Sequence, residues 1–333
     1  MTRDPELLLV FGVVLAVLSL GTIVSGVLWA RQRARPEGVS DTVKNLAQRV
    51  RAWWVMVAII AGTSAVGPIG LFALYTLLSA LALRELLTLT PTHRADHGAL
   101  VFAFFVVVPL QYAFAAMGWY VMFLIFVPVY AFVAIPMLLA LRGDPTRFLD
   151  RSAKLQWGVL VAVYFVSYVP MLQYVPIAGH PHGSGRLTFF LALVAQLSDV
   201  FQYVFGKLFG KRKVAPVISP QKSVEGLVGG GLSAVLLGTA LYRVTPFDPL
   251  GAGLLSLVIV ATGFLGGLVM SAVKRSLGAK DWGNAIEGHG GVFDRLDSIA
   301  FAAPITFHLV VYFADVDVPN VHPPWIDAIR GLV

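Results

Sequence analysis

Apolar runs long enough to cross a bilayer recur along almost the whole chain, and no other feature of the sequence restricts its fold so tightly. One helical crossing takes about 20 predominantly apolar residues. Such runs occupy residues 7–29, a stretch beginning near Trp53 and Trp54, and then 67–87, 99–116, 120–141, 155–177, 187–205, 227–242, 250–273 and 299–314. The pattern predicts an all-α fold, a polytopic membrane helix bundle of about ten transmembrane helices, because a helix satisfies its own backbone hydrogen bonds in lipid. Hydrophobic residues make up 57% of the chain and charged residues 13%, against roughly 25% charge in a soluble domain. A water-soluble globule is therefore excluded. The absence of cysteine also excludes a disulfide framework, a thiolate zinc site and an iron–sulfur cluster.

Charge placement gives these runs an orientation. Cytoplasmic loops of membrane proteins collect Lys and Arg. If both ends of the chain lie outside, then of the 25 Lys and Arg residues only Arg3, Arg186, Arg243 and Arg330 fall on the outer side. The formal net charge of +7 then reflects loops facing anionic lipid and calls for no nucleic-acid partner. The first run follows a start without the basic lead-in of a secretory signal, so it reads as a retained helix. Residues 31–51 are polar, and the spacing Val43, Leu46, Ala47, Val50 predicts an interfacial helix running into the second span. The expected division of the chain is an added N-terminal span with its basic interfacial helix (1–52), a set of N-terminal membrane helices (53–186), a membrane region that holds the densest polar loop (187–318) and a tail (319–333).

With the cations explained by topology, the acids carry more information. Asp199 lies inside the run 187–205, where an ionised carboxylate serves either a site or an interhelical hydrogen-bond cluster. Gln196 and Tyr203 are spaced i−3 and i+4 from it, on the same helical face. The densest polar stretch, residues 271–297, connects the last two spans on the inner side. Asp294 and Asp297 are spaced i, i+3 at a helix start, and Asp281 precedes them. Hard oxygen ligands of that kind suit Mg²⁺, which takes one or two carboxylates plus substrate phosphates. The turn Gly288-His289-Gly290-Gly291 lets backbone N–H groups approach an anion. By composition alone the same stretch also describes an ordinary amphipathic loop. His180 and His182 read as an outer loop, and the glycines at 229–231, 263, 266 and 267 as sites of close helix packing.

The order of the residues is more specific than their composition. Ser271, Lys274, Arg275, Lys280, Asp281, His289, Gly290, Gly291, Asp294, Arg295 and Asp297 stand at the spacing of the phosphatidate cytidylyltransferase (CDP-diacylglycerol synthase) signature, and the segment resembles that family. Glu287 departs from it, standing where the family usually has Pro or Gly. Upstream, Ser198-Asp199, Tyr203, Gly206-Lys207, Phe209-Gly210-Lys211 and Ile218-Ser219-Pro220-Gln221-Lys222-Ser223-Val224-Glu225-Gly226 are similar to a second family pattern, with Ser198, Ser223 and Gln221 replacing the more usual Asn, Thr and Lys.

This resemblance implies an enzyme, a nucleotidyltransferase that joins CTP to phosphatidate and yields CDP-diacylglycerol and pyrophosphate at the cytoplasmic face of the inner membrane. It implies one or two Mg²⁺ ions held by Asp281 and Asp294 with Asp297 or Asp199. Lys274, Arg275, Lys280 and Arg295 are the expected screening cations beside these acids, with His289 as a positioning group. Ser219, Lys222, Ser223, Glu225, Gly290, Gly291 and Tyr203 are the expected substrate-binding residues. A membrane lipid phosphate and CTP are the expected partners, and the resemblance favours a homodimer. The alternatives are a cytidylyltransferase acting on another lipid phosphate and, from a different class, an ion-coupled multi-span transporter.

Overall fold

The computed structural model describes residues 5–33, 38–175, 185–285 and 290–314. Glu287, His289, His180 and His182 lie outside the described residues.

The chain is a helix bundle with one small hairpin. Its helices are α1 (Pro5–Arg33), α2 (Asp41–Val66), α3 (Pro68–Leu89), α4 (Arg94–Ala116), α5 (Tyr120–Ala140), α6 (Phe148–Tyr174) and α7 (Arg186–Phe209), followed after the hairpin by α8 (Val224–Ala240), α9 (Pro249–Ser276) and α10 (Phe293–Phe313). Among the described residues nine of these are long and apolar enough to cross a membrane. The tenth, α8, has 17 residues, about 26 Å of helix, at the short end of what a bilayer core accepts. The chain is thus an all-α, multi-pass membrane protein.

The structure carries the second span and the last helix beyond their apolar runs, in line with the sequence expectation, and adds a hairpin. The amphipathic stretch beginning at Asp41 and the second span form one continuous helix. The last helix starts at Phe293 and not at Ile299, so Asp294 and Asp297 both lie on it. Strands β1 (Lys213–Ala215) and β2 (Ser219–Ser223) form an antiparallel pair that the apolar periodicity did not indicate. Pro216 lies between the two strands, and Ser223 ends β2 by capping α8, its Oγ accepting the Gly226 N–H at 3.1 Å.

The core runs from the N-terminal helices α3 to α6 into α7, α9 and α10. Three helices relax into π-helical turns, at Ala103–Val107, Phe126–Ala131 and Leu160–Phe165; Pro128 lies in the second, and Pro109 lies two residues past the first. In the second half, glycine brings the helices together as the sequence predicts. Gly230 lies so close to α7 that a Cβ would collide with the Gln202 backbone, and one on Gly226 would sit 2.8 Å from the Gln202 carbonyl oxygen. A Cβ on Gly266 would sit 2.6 Å from that of Phe301. Close approach at glycine is what membrane helix packing relies on, because lipid competes for every apolar surface.

Gly230→Val is therefore expected to destabilise the bundle by about 2 kcal/mol or more, read as a lowered thermal midpoint in detergent. Gly62→Ala, where a Cβ meets nothing within 4 Å, serves as the silent control.

Candidate active site

The site is built where α9 ends, the chain turns back and α10 begins. Lys274, in the last turn of α9, donates to Asp294 Oδ1 at 2.6 Å. Their side chains retain only 10% and 5% of their exposure, so the pair is held inside the bundle. The other oxygen of Asp294 accepts the N–H groups of Trp282 at 2.8 Å and Gly291 at 2.9 Å. One carboxylate thereby fixes the end of one helix, the middle of the connecting segment and the start of the next helix. Trp282 is buried against Phe293, with ring centroids 5.3 Å apart.

Gly290 makes this turn sterically feasible. Its φ of +81° lies in the left-handed region, and a Cβ there would come 2.7 Å from Asp294 Oδ2 and 3.3 Å from Asp281 Cβ. The structure thus brings Asp281, Gly290, Gly291 and Asp294 together. Asp281 is exposed, whereas Asp294 is buried.

A second group of charges lies one helical turn further into α10. Ser298 Oγ donates to Asp199 Oδ2 of α7 at 3.0 Å, and the Ser298 N–H donates to Asp297 Oδ1 at 2.8 Å. Gln196 joins the same pair of helices by donating to the Arg295 carbonyl at 3.0 Å. Lys222 enters from β2. Its ammonium lies 4.6 Å from the Phe264 ring centroid and makes a long hydrogen bond, 3.4 Å, to the Phe264 carbonyl. Burial holds Lys222 below the ordinary ammonium range, against the pull of Asp199 and Asp297 in the other direction. Gly267 gives it room, since a Cβ there would stand 2.8 Å from Nζ. Asp199, Asp294, Lys222 and Lys274 all act electrostatically on Asp297, so the two groups form one cluster.

Other expected site residues sit elsewhere. Tyr203 is exposed, with Arg49 and Lys207 each 5.9 Å from its ring centroid. Glu225 turns to the backbone N–H groups of Lys211 and Arg212 at 2.9 to 3.2 Å. Ser223 is buried as a helix cap. Arg275 and Lys280 are exposed, and Arg275 donates to the Ala279 carbonyl at 3.0 Å. Ser219 lies at the start of β2, partly buried.

Glu85 is a site residue that the sequence reading did not single out. Its two carboxylate oxygens accept the N–H groups of Val292 and Phe293, both at 2.9 Å. It lies in α3, beside Arg84 near the end of an apolar run, and looked like one more interfacial charge. The available signal was weak: an acid preceding four apolar or small polar residues of the same span, Leu86 to Leu89.

Among the described residues no group of three Asp, Glu or His side chains is placed to hold a metal ion. Three donors already engage Asp294. Asp199 and Asp297 are two hard-oxygen ligands that share Ser298, and that number fits Mg²⁺ completed by substrate phosphates.

The cytidylyltransferase family model matches residues 47–313, most of the chain and every charged group of the cluster. The chain belongs to this family, and so to a class of membrane nucleotidyltransferases. It is 33% identical over 299 residues to the uncharacterised Escherichia coli K12 protein YnbB, covering 89% of this chain and 96% of that one. It is 39% identical over 177 residues to the phosphatidate cytidylyltransferase of Mycobacterium leprae, covering 51% of this chain and 54% of the relative. With the Bacillus subtilis enzyme of the same name it shares 41% over 128 residues, 38% of this chain and 48% of that one. The chain thus spans about half the length of these two named relatives.

Asp294→Asn is expected to cost about 3–5 kcal/mol, because it leaves a buried ammonium unpaired. Adding Lys274→Met to that variant should recover most of the loss, since Asn still accepts backbone N–H groups. Thermal unfolding of the single and double variants in detergent reads both effects.

Proposed function

We propose that the chain transfers the cytidylyl group of CTP to phosphatidate, forming CDP-diacylglycerol and pyrophosphate at the inner face of the cytoplasmic membrane. The observation that carries this reading is the gathering of the buried Lys274–Asp294 pair with the partly buried Lys222, Asp199 and Asp297 where α7, α9 and α10 meet. Family membership and the names of the two enzymes similar to part of the chain support it.

The physical obstacle is repulsion. A lipid phosphate must approach a nucleotide that carries about four negative charges, and each pair of unit charges 4 Å apart costs about 4 kcal/mol at an effective dielectric of 20. Lys222 opposes this directly. Among the described residues its one hydrogen bond is the long one to Phe264, which leaves ammonium donors for a phosphate oxygen. Lys274 adds a second positive charge at a position fixed by Asp294.

In the reaction, an oxygen of the phosphatidate phosphate forms a bond to the α-phosphorus of CTP while the bond from that phosphorus to the β-phosphate oxygen breaks. Pyrophosphate carries away the electron pair. The nucleophile is already an anion, so no protein base has to activate it. Asp199 and Asp297 would hold Mg²⁺, and Asp281, exposed beside the glycine turn, would supply a further oxygen ligand. Bound there, the metal offsets phosphate charge and stabilises the leaving oxygen. Asp199 lies on a membrane helix, which suits a headgroup whose acyl chains stay in lipid.

Purified protein incubated with labelled CTP, Mg²⁺ and a panel of lipid phosphates is expected to give labelled CDP-diacylglycerol from phosphatidate, and none after chelation. Lys222→Met and Asp297→Asn should each lower kcat by about 10²-fold. No labelled lipid from any acceptor would refute the transfer reaction and leave a transporter as the reading to test. Labelling of a different acceptor would reassign the lipid.

A further inference from the structure

We infer that Glu85 is a positioning residue for cytidylyl transfer: a carboxylate from the N-terminal half of the bundle that holds the signature turn in its working geometry. The inference rests on the transfer reaction proposed above.

Three observations carry it. First, Glu85 accepts both of the first N–H groups after the glycine turn, from Val292 and Phe293, each at 2.9 Å. These are unsatisfied donors at a helix N-terminus, where a carboxylate is favoured by hydrogen bonding and by the helix dipole. Second, the approach is built for this side chain. A Cβ on Gly291 would collide with the Glu85 carboxylate, and one on Gly283 would lie 2.9 Å from Oε1. Only glycine at both positions lets the carboxylate in. Third, the residues around Glu85 are fixed. Leu83 and Leu86 are buried on either side of it, and a Cβ on Gly158 of α6 would press on Leu86 at 3.1 Å.

Glu85 and Asp294 divide the turn between them. Asp294 takes the N–H groups of Trp282 and Gly291, and Glu85 takes those of Val292 and Phe293. The Gly291 N–H of the turn and the Val292 and Phe293 N–H groups that follow it are thus occupied by protein carboxylates. What Glu85 supplies is position: it sets where α10 begins, and with it Asp294, Asp297 and the Lys274 ammonium that Asp294 holds.

A positioning role separates from a merely structural one in steady-state kinetics. In Glu85→Gln one N–H loses its acceptor and meets an amide donor, so kcat is expected to fall about tenfold while KM for CTP moves less than about threefold. Glu85→Gly vacates a carboxylate-sized space facing two N–H donors, and kcat should fall about 10²-fold. Sodium formate should restore that activity saturably and leave the wild type unchanged. Wild-type kcat in folded Glu85→Gln, a loss confined to KM, or folded Glu85→Gly that formate does not recover would each overturn the inference. If Glu85→Gly does not fold, the Gln variant decides alone. An inactive wild type would instead overturn the transfer reaction.

Discussion

The buried pair of Lys274 and Asp294 is the contact on which the rest of the site depends. An ammonium and a carboxylate taken out of water are stable only if their remaining hydrogen-bonding capacity is met. Asp294 meets this condition by accepting two backbone N–H groups in addition to Lys274. The consequence is geometric. Three points of the chain, one on α9, one in the connection and one at the glycine turn, are tied to a single side chain at the head of α10. Every other charge in the cluster is placed relative to that head.

The four carboxylates near α10 therefore differ in what they can do. Glu85 and Asp294 have both oxygens engaged by protein donors. Asp199 and Asp297 receive hydrogen bonds from the side chain and backbone of one serine and keep oxygens for a cation. Glycine makes room for this arrangement inside a helix bundle. Gly263 stands in ordinary contact with Ser298, and Gly267 gives its volume to the Lys222 ammonium. Small residues that elsewhere bring helices together here admit charge between them.

Much of this was legible in the sequence, for definite reasons. Spans are readable because lipid forces long apolar helices, and the signature was readable because eleven polar residues and glycines kept a fixed order from Ser271 to Asp297. Geometry that depends on distant parts of the chain was not. Glu85 is separated from Val292 by 207 positions, and no local pattern marks an acid at the end of a span as a cap for another helix. Tyr203 has the correct helical spacing from Asp199, but the side chain lies beside Arg49 and Lys207 at the surface. Spacing gives the face of an ideal helix and not the neighbours that face will meet. The β1–β2 hairpin escaped notice because each strand is too short for alternation to register.

The first helix bears on the site only at a distance. The family match begins within α2, so α1 lies outside it. It packs through Phe11 on Phe189 of α7, with ring centroids 5.0 Å apart, and through Thr22, which accepts from Trp54 Nε1 at 3.0 Å. From Phe189 to Asp199 the helix rises about 15 Å, so α1 touches the far end of the helix that carries the intramembrane carboxylate. A helix held at one end has its other end set by its remaining partners. For α7 those are the glycines of α8, which meet the Gln202 backbone, and the polar contacts of Gln196 and Asp199 with α10. The placement of Asp199 is thus decided inside the matched region, and α1 stiffens its support without entering the chemistry.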